Sequence, residues 1–161
     1  MILSFPPAVS NSCRILVLGT MPGVESLRQQ QYYAHPRNAF WKIMGEIFEF
    51  SPALPYRERL AILNRNGIGL WDTVKFCERE GSLDSDIRSP EFNDFAALFA
   101  DYPNLRKVCL NGKGAEKFFR LYRKHHAFPE LEISVLPSTS PAHAAMNYAQ
   151  KLDLWRRALL S

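Results

Sequence analysis

The sequence predicts an α/β domain of three layers, a central four-stranded parallel sheet with helices on both faces. Three observations predict it. Short apolar runs bounded by turn residues recur four times along the 161 residues, as buried parallel strands do. Segments with apolar residues at helical spacing separate them, and such alternation implies a doubly covered sheet. The loops that follow the strands are rich in Gly, Pro, Ser and Thr.

Each element has its own signal. "RILVLG" (14–19) runs from a polar cluster to a Gly and reads as the first strand. "NAFWKIMGEIFEF" puts Phe40, Ile43, Met44, Ile47 and Phe48 on one helical face. "YRERLAILNRNG" is a second helix, ending at a Gly suited to its C′ position. "GIGLWDTV" is a short strand whose Asp72 caps a following helix or, as the weaker alternative, reads a base. "SPEFNDFAALFADYP" reads as a helix with Ser89 as N-cap and Pro90 at N1, stopping before Pro103. "RKVCLNG" (106–112) and "LEISVLP" (131–137) are the third and fourth strands. Between them "KGAEKFFRLYRKHH" is a helix that buries Phe118, Phe119 and Tyr122. It exposes Lys113, Lys117, Arg120 and Lys124 at i, i+4, i+7 and i+11. "AAMNYAQKLDLWRRALL" closes the chain as a helix, for which Ser140 before Pro141 offers an N-cap. Without repeat, linker or low-complexity tract, residues 1–161 read as one domain.

Composition narrows the function. A content of 47% hydrophobic, 22% charged and 12% aromatic residues is ordinary globular material. No apolar run approaches the ~20 residues of a membrane span. The first residues lack the basic n-region of a signal peptide. Cys13, Cys77 and Cys109 form no CxxC pair and read as reduced thiols of a cytoplasmic protein. Net charge is +4, and residues 104–161 carry ten Lys/Arg against four Asp/Glu, while residues 1–103 carry ten against twelve. That asymmetry suggests a polyanionic partner.

In parallel sheets ligands bind beyond the carboxyl ends of the strands. Four loops therefore mark the expected site: "GTMPG", "DTVKFCERE", "NGKGA" and "PSTSPAHA". The lysine stripe begins at such an end, where it meets a phosphate or is simply a solvated face. "YYAHPRNAFW" (32–41) adds four rings, a His, an Arg and an Asn within ten residues. Phe40 and Trp41 suit the core. Tyr33 suits stacking on a base, and His35 and Pro36 shape the loop. Arg37 touches a phosphate or lies in solvent. Asn38, both donor and acceptor, suits the orientation of a water.

The combination of "LVLGTMPG", "YYAHPRNAFW" and "LPSTSPAHA" resembles the uracil-DNA glycosylase superfamily, over about residues 14 to 158. The layout is nearest to the mismatch-specific (thymine/uracil) branch and to the hypoxanthine-DNA glycosylase branch. The resemblance implies a monofunctional DNA glycosylase that flips hypoxanthine or uracil out of DNA and hydrolyses its N-glycosidic bond in base excision repair. One departure is informative. Thr20 stands where the mismatch-specific enzymes have an asparagine and other branches an aspartate. The hypoxanthine branch also lacks that residue, and its catalytic asparagine maps onto Asn38.

The expected catalytic positions are thus Asn38 and, within the first motif, Thr20. Met21 and Gly23 would meet the base or the water through the backbone of "GTMPG", with Gly23 permitting its turn. Tyr33 would stack on the base at roughly 1–3 kcal/mol. Asn111 is a base-binding candidate or a strand-end residue. Ser138, Thr139, Ser140 and His143, with Lys113 and Lys117, would meet DNA. The expected partner is DNA holding deaminated bases, bound by a monomer without metal, cofactor or membrane. A catalytically weakened nucleic-acid-binding protein and a hydrolase of free nucleosides or nucleotides are the competing readings.

Overall fold

The computed structural model describes residues 1–143 and 145–161. Its elements in chain order are β1 (Ile2–Leu3), β2 (Ile15–Gly19), α1 (Val24–Gln29), α2 (Phe40–Phe48), α3 (Tyr56–Arg65), β3 (Ile68–Asp72) and β4 (Val74–Glu78). There follow β5 (Arg88–Phe92), α4 (Phe95–Asp101), β6 (Lys107–Asn111), α5 (Lys113–Arg123), β7 (Glu132–Leu136) and α6 (Tyr148–Leu160). The central sheet has the order β3-β2-β6-β7 and is parallel throughout, as expected.

The period of two along β2 divides the core. Ile15 and Val17 point to one face, where Phe40, Ile43 and Met44 of α2, Leu63 of α3 and Trp155 of α6 cover them. Leu16 and Leu18 point to the other, against Phe95 and Phe99 of α4 and Phe119 and Tyr122 of α5. Phe40, Trp155, Phe95 and Phe119 are completely buried. Truncating any one of them to Ala removes packing worth about 3–5 kcal/mol. Among the described residues, no helix is long and apolar enough to cross a membrane.

Three expectations fail in informative ways. "DTVKFCERE" is not a rim loop: only Thr73 separates β3 from β4. The Thr73 and Val74 amides donate to the carbonyls of Gly19 (2.9 Å) and Thr20 (3.0 Å), turning the chain at once into a second sheet. That sheet is antiparallel, in the order β1-β4-β5. Asp72 therefore caps no helix.

"SPEF" lies in β5, not at a helix start. Pro90 is tolerated because β5 is an edge strand. The cap of α4 is Asp94, whose side chain accepts from Ala97 N–H at 3.1 Å.

The last helix starts later than expected. Asn147 and Gln150 form a reciprocal capping box (2.9 and 3.1 Å), which satisfies two helix-end amides at once. Ser140 instead accepts from the Ala142 amide in a local turn, at 3.2 Å.

Candidate active site

The carboxyl ends of the four parallel strands open into a cleft of about 490 Å³, within the range of small-ligand sites. The wall above β2 and β3 is built by Gly19–Ser26, Asp72 and the hairpin tip Ser82–Asp84. The wall above β6 and β7 is built by Asn111 and Ser138–His143. Between them lie Tyr32, Tyr33, His35 and Asn38.

The 32–41 segment is fixed at many points. Tyr32 hydroxyl donates to the Pro6 carbonyl (2.8 Å), Tyr32 N–H to Tyr56 hydroxyl (3.0 Å) and Trp41 Nε1 to the Tyr32 carbonyl (2.8 Å). Ala34 N–H donates to Ser26 Oγ (3.0 Å). Tyr33 takes a left-handed backbone (φ 56°), rare for a bulky residue and costly. The turn lays its ring on Phe40 with centroids 4.1 Å apart and planes at 27°. Its other face is on the cleft side, while its hydroxyl is buried without a partner among the described residues.

Asn38 follows two residues before α2. Its N–H donates to the His35 carbonyl at 2.9 Å, and its Oδ1 accepts from Phe40 N–H at 2.9 Å. These bonds fix the carboxamide at the helix start, with Nδ2 left as a donor for the cleft.

Thr20 Oγ1 donates to Asp84 Oδ2 at 2.9 Å. Gly19 must lack a side chain, because a Cβ would lie 2.6 Å from Asp72 Oδ1 and 3.0 Å from Tyr33 hydroxyl. Gly23 differs from expectation. Its backbone is extended (φ −76°), which any residue adopts, and its Cβ-free side instead faces Ser82, 3.1 Å from where a Cβ would sit. Met21 is buried at the cleft edge.

The opposite wall is closed on itself. Asn111 Nδ2 donates to Thr139 Oγ1 and Thr139 N–H to Asn111 Oδ1, both at 3.0 Å. Thr139 carbonyl in turn accepts from Ala39 N–H at 3.0 Å. Thr139 is 1% exposed. Its hydroxyl is therefore turned inward to Asn111 rather than outward to a phosphate, and Asn111 is engaged rather than open to a base. Ser138, Ser140 and His143 line the cleft. Ser138 Oγ accepts from Ser140 N–H at 3.1 Å, and the buried Lys151 donates to the His143 carbonyl at 2.8 Å. Lys113 and Lys117 are exposed on α5, outside the cleft lining.

Two carboxyl groups were missed as site residues. Asp72 is 4% exposed, its Oδ2 buried without a partner among the described residues. Burial, reinforced by the Asp84 charge and opposed by Arg79, pushes its carboxyl up to about 7. Its place at a strand's carboxyl end was a usable signal. Asp84 exposes much of its residue surface, yet its carboxylate turns inward onto Thr20 and against Gly114. Burial of that carboxylate raises it, while the Thr20 hydroxyl and Arg79 oppose the rise. No local pattern announces Asp84, since the hairpin brings it from 64 residues away.

Comparison with known proteins gives a consistent set of relatives. The family model of the uracil DNA glycosylase superfamily matches residues 6–160. A hypoxanthine DNA glycosylase of Methanosarcina acetivorans is 42% identical over 140 residues, covering 86% of both chains. Another, of Methanosarcina barkeri, is 42% identical over 120 residues, covering 74% of this chain and 76% of the relative. The solution NMR structure of a candidate uracil DNA glycosylase from Methanosarcina acetivorans has a TM-score of 0.82 and 37% identity. It covers 98% of this chain and 95% of its own.

Proposed function

This chain belongs to the uracil-DNA glycosylase superfamily, and from that premise we propose that it releases hypoxanthine from DNA by hydrolysis of the N-glycosyl bond. It is a DNA glycosylase for deaminated bases. The preference for hypoxanthine over uracil rests on the names of two relatives at 42% identity and on Thr20 and Asn38 at the two motif positions.

Cleavage makes the sugar cation-like and the departing base anionic, so the protein must extrude the base, hold it and place one water beneath C1′. Tyr33 offers the face not covered by Phe40 for stacking. Asn38 holds the water through Nδ2, its oxygen being anchored by Phe40 N–H. Ser138, Ser140 and His143 bear on the flanking phosphates, and the Asn111–Thr139 pair holds their loop in place. The observation that carries the reading is Asn38 and Tyr33 on one pinned segment, both in the cleft.

The test is a panel of duplexes with hypoxanthine, uracil or xanthine at one position, followed for abasic sites. Hypoxanthine is expected to be released fastest. Absence of release from all three duplexes would refute the assignment.

A further inference from the structure

We propose that Asp84 is the proton acceptor for the attacking water, with Thr20 its positioning residue. The inference rests on the glycosylase reading above. Hydrolysis needs a group that takes a proton, and the Asn38 carboxamide cannot at neutral pH.

The other ionisable groups of the cleft are less well placed. Glu25 is bonded to Arg28 and Gln29, which hold its carboxyl near 2 and leave it a weak base. Asp72 is wedged beneath Gly19 with almost no exposed surface. His35 already accepts the Arg37 amide on Nδ1, at 3.1 Å. His143 sits on the opposite wall, its carbonyl drawn back by Lys151.

Asp84 is held where a water could reach it. Oδ2 accepts from Thr20 Oγ1 at 2.9 Å, which leaves Oδ1 for a second partner. The same carboxylate rests on Gly114 at the start of α5, where a Cβ would stand only 2.3 Å from Oδ2. The loop that carries it is clamped to the first motif by Val24 N–H donating to Ser82 Oγ at 2.8 Å. Arg79, two of whose buried nitrogens lack partners among the described residues, donates to the Pro22 carbonyl behind the same motif. The charged and titratable groups that face Asp84 are Arg79 at the end of β4, Asp72 at the end of β3 and Tyr33.

In the step itself the water oxygen bonds to C1′ while one water proton passes to Asp84 Oδ1. The C1′–N9 bond breaks and its electron pair leaves with the purine. The purine anion takes a proton from solvent, and Asp84 returns its own to solvent, so one water is consumed overall.

The experiment is single-turnover release of hypoxanthine against pH for the wild type, Asp84→Asn, Thr20→Val and Thr20→Ser, with thermal unfolding and duplex binding followed in parallel. An acceptor works only when ionised, so the wild-type rate should rise with pH through the titration of Asp84 and then level. Asp84→Asn should lower the plateau by about 100-fold or more and abolish the rise. Thr20→Val removes a bond that favours the ionised form, so the rise should move to higher pH, whereas Thr20→Ser should leave it in place. A purely structural role for either residue would not move the pH profile. An active wild type without such a rise, a rise that persists in Asp84→Asn, or a plateau within tenfold of wild type overturns the inference and leaves the glycosylase reading standing. If Asp84→Asn does not fold, a rise in Thr20→Val unshifted from that of Thr20→Ser overturns it. A wild type inactive on every deaminated duplex would remove the glycosylase reading and this inference with it.

Discussion

Above β6 and β7 the cleft wall is chemically quiet: Asn111 and Thr139 satisfy each other twice at 3.0 Å, and Thr139 also fastens Ala39. Above β2 and β3 the wall and the structure behind it bury Tyr33 hydroxyl, Asp72 Oδ2 and two Arg79 nitrogens without partners among the described residues. Of its three carboxyl groups Asp72 and Asp84 are raised, while Glu25 is held low by Arg28 and Gln29. A buried polar group left unpaired costs about 1–3 kcal/mol, so the second wall is held together against its own preference. Perturbed ionisable groups in a cleft mark chemistry more often than scaffolding. One wall positions and the other reacts, with Asn38 on the segment that joins them.

The sharpest way to break that division is at the joint. Asn38→Ala is expected to slow single-turnover base release by about 100- to 1000-fold, the usual loss for one preorganised polar group, with duplex binding almost unchanged. Thr20→Ala should do much less to the plateau rate. If Thr20→Ala proved the more damaging in a folded protein, the catalytic centre would belong to the first motif alone, and the 32–41 segment would be left with base stacking by Tyr33.

The quiet wall should respond in stability. Asn111→Ala leaves the Thr139 amide and hydroxyl buried without partners, an expected loss of about 2–4 kcal/mol seen as a lower midpoint in thermal unfolding. Below that midpoint, base release at saturating enzyme should stay close to wild type while duplex binding weakens. A large rate loss without loss of stability would move Asn111 to the reacting side.

How much of this was legible in the sequence follows from the range of the interactions. β2, β6 and β7 were readable as apolar runs, and α2 and α5 from their spacing, because burial on one face imposes a local period. Asn38, Tyr33 and the serine loop were readable from motif and position. The hairpin of β4 and β5 was not, since the period of two breaks at Phe76 and Cys77 of Val74–Glu78 and the Ser-Pro of "SPEF" reads locally as a helix start. With the hairpin went Asp84, whose bond to Thr20 spans 64 residues. Asp72 was seen but assigned to a helix that does not follow it. Thr139 carries the same hydroxyl as its serine neighbours, and only burial separates their roles.

A weaker effect tests the reactive wall through its cost. The Asp72 carboxyl titrates near 7 in the folded protein and near 3.9 in an unfolded chain. The folded state therefore keeps its proton over a range in which the unfolded state has lost it. The sign follows: Asp72 favours folding fully below about pH 4, and that contribution fades as pH rises through 7. Asp72→Asn removes the penalty of ionising a buried acid. Its unfolding midpoint should exceed that of the wild type at pH 8 by a few degrees and match it at pH 4. A difference independent of pH would mean that Asp72 titrates as an ordinary surface acid.

The smallest expected effect concerns the cations beside the quiet wall. α5 starts two residues after Asn111, and its N-cap Gly112 packs on Ser138, where a Cβ would stand 2.9 Å from that side chain. Lys113 and Lys117 thus leave the wall on the outer surface of α5, beyond the cleft lining. If the wall positions DNA, its phosphates continue onto these two side chains. Each phosphate neutralised adds roughly 0.9 to the slope of log affinity against log salt. Replacing both lysines by Gln should flatten that slope by about one to two units and leave the single-turnover rate at saturation unchanged. An unchanged slope would place the stripe outside the interface, and the positioning wall would then end at the Ser138–His143 loop.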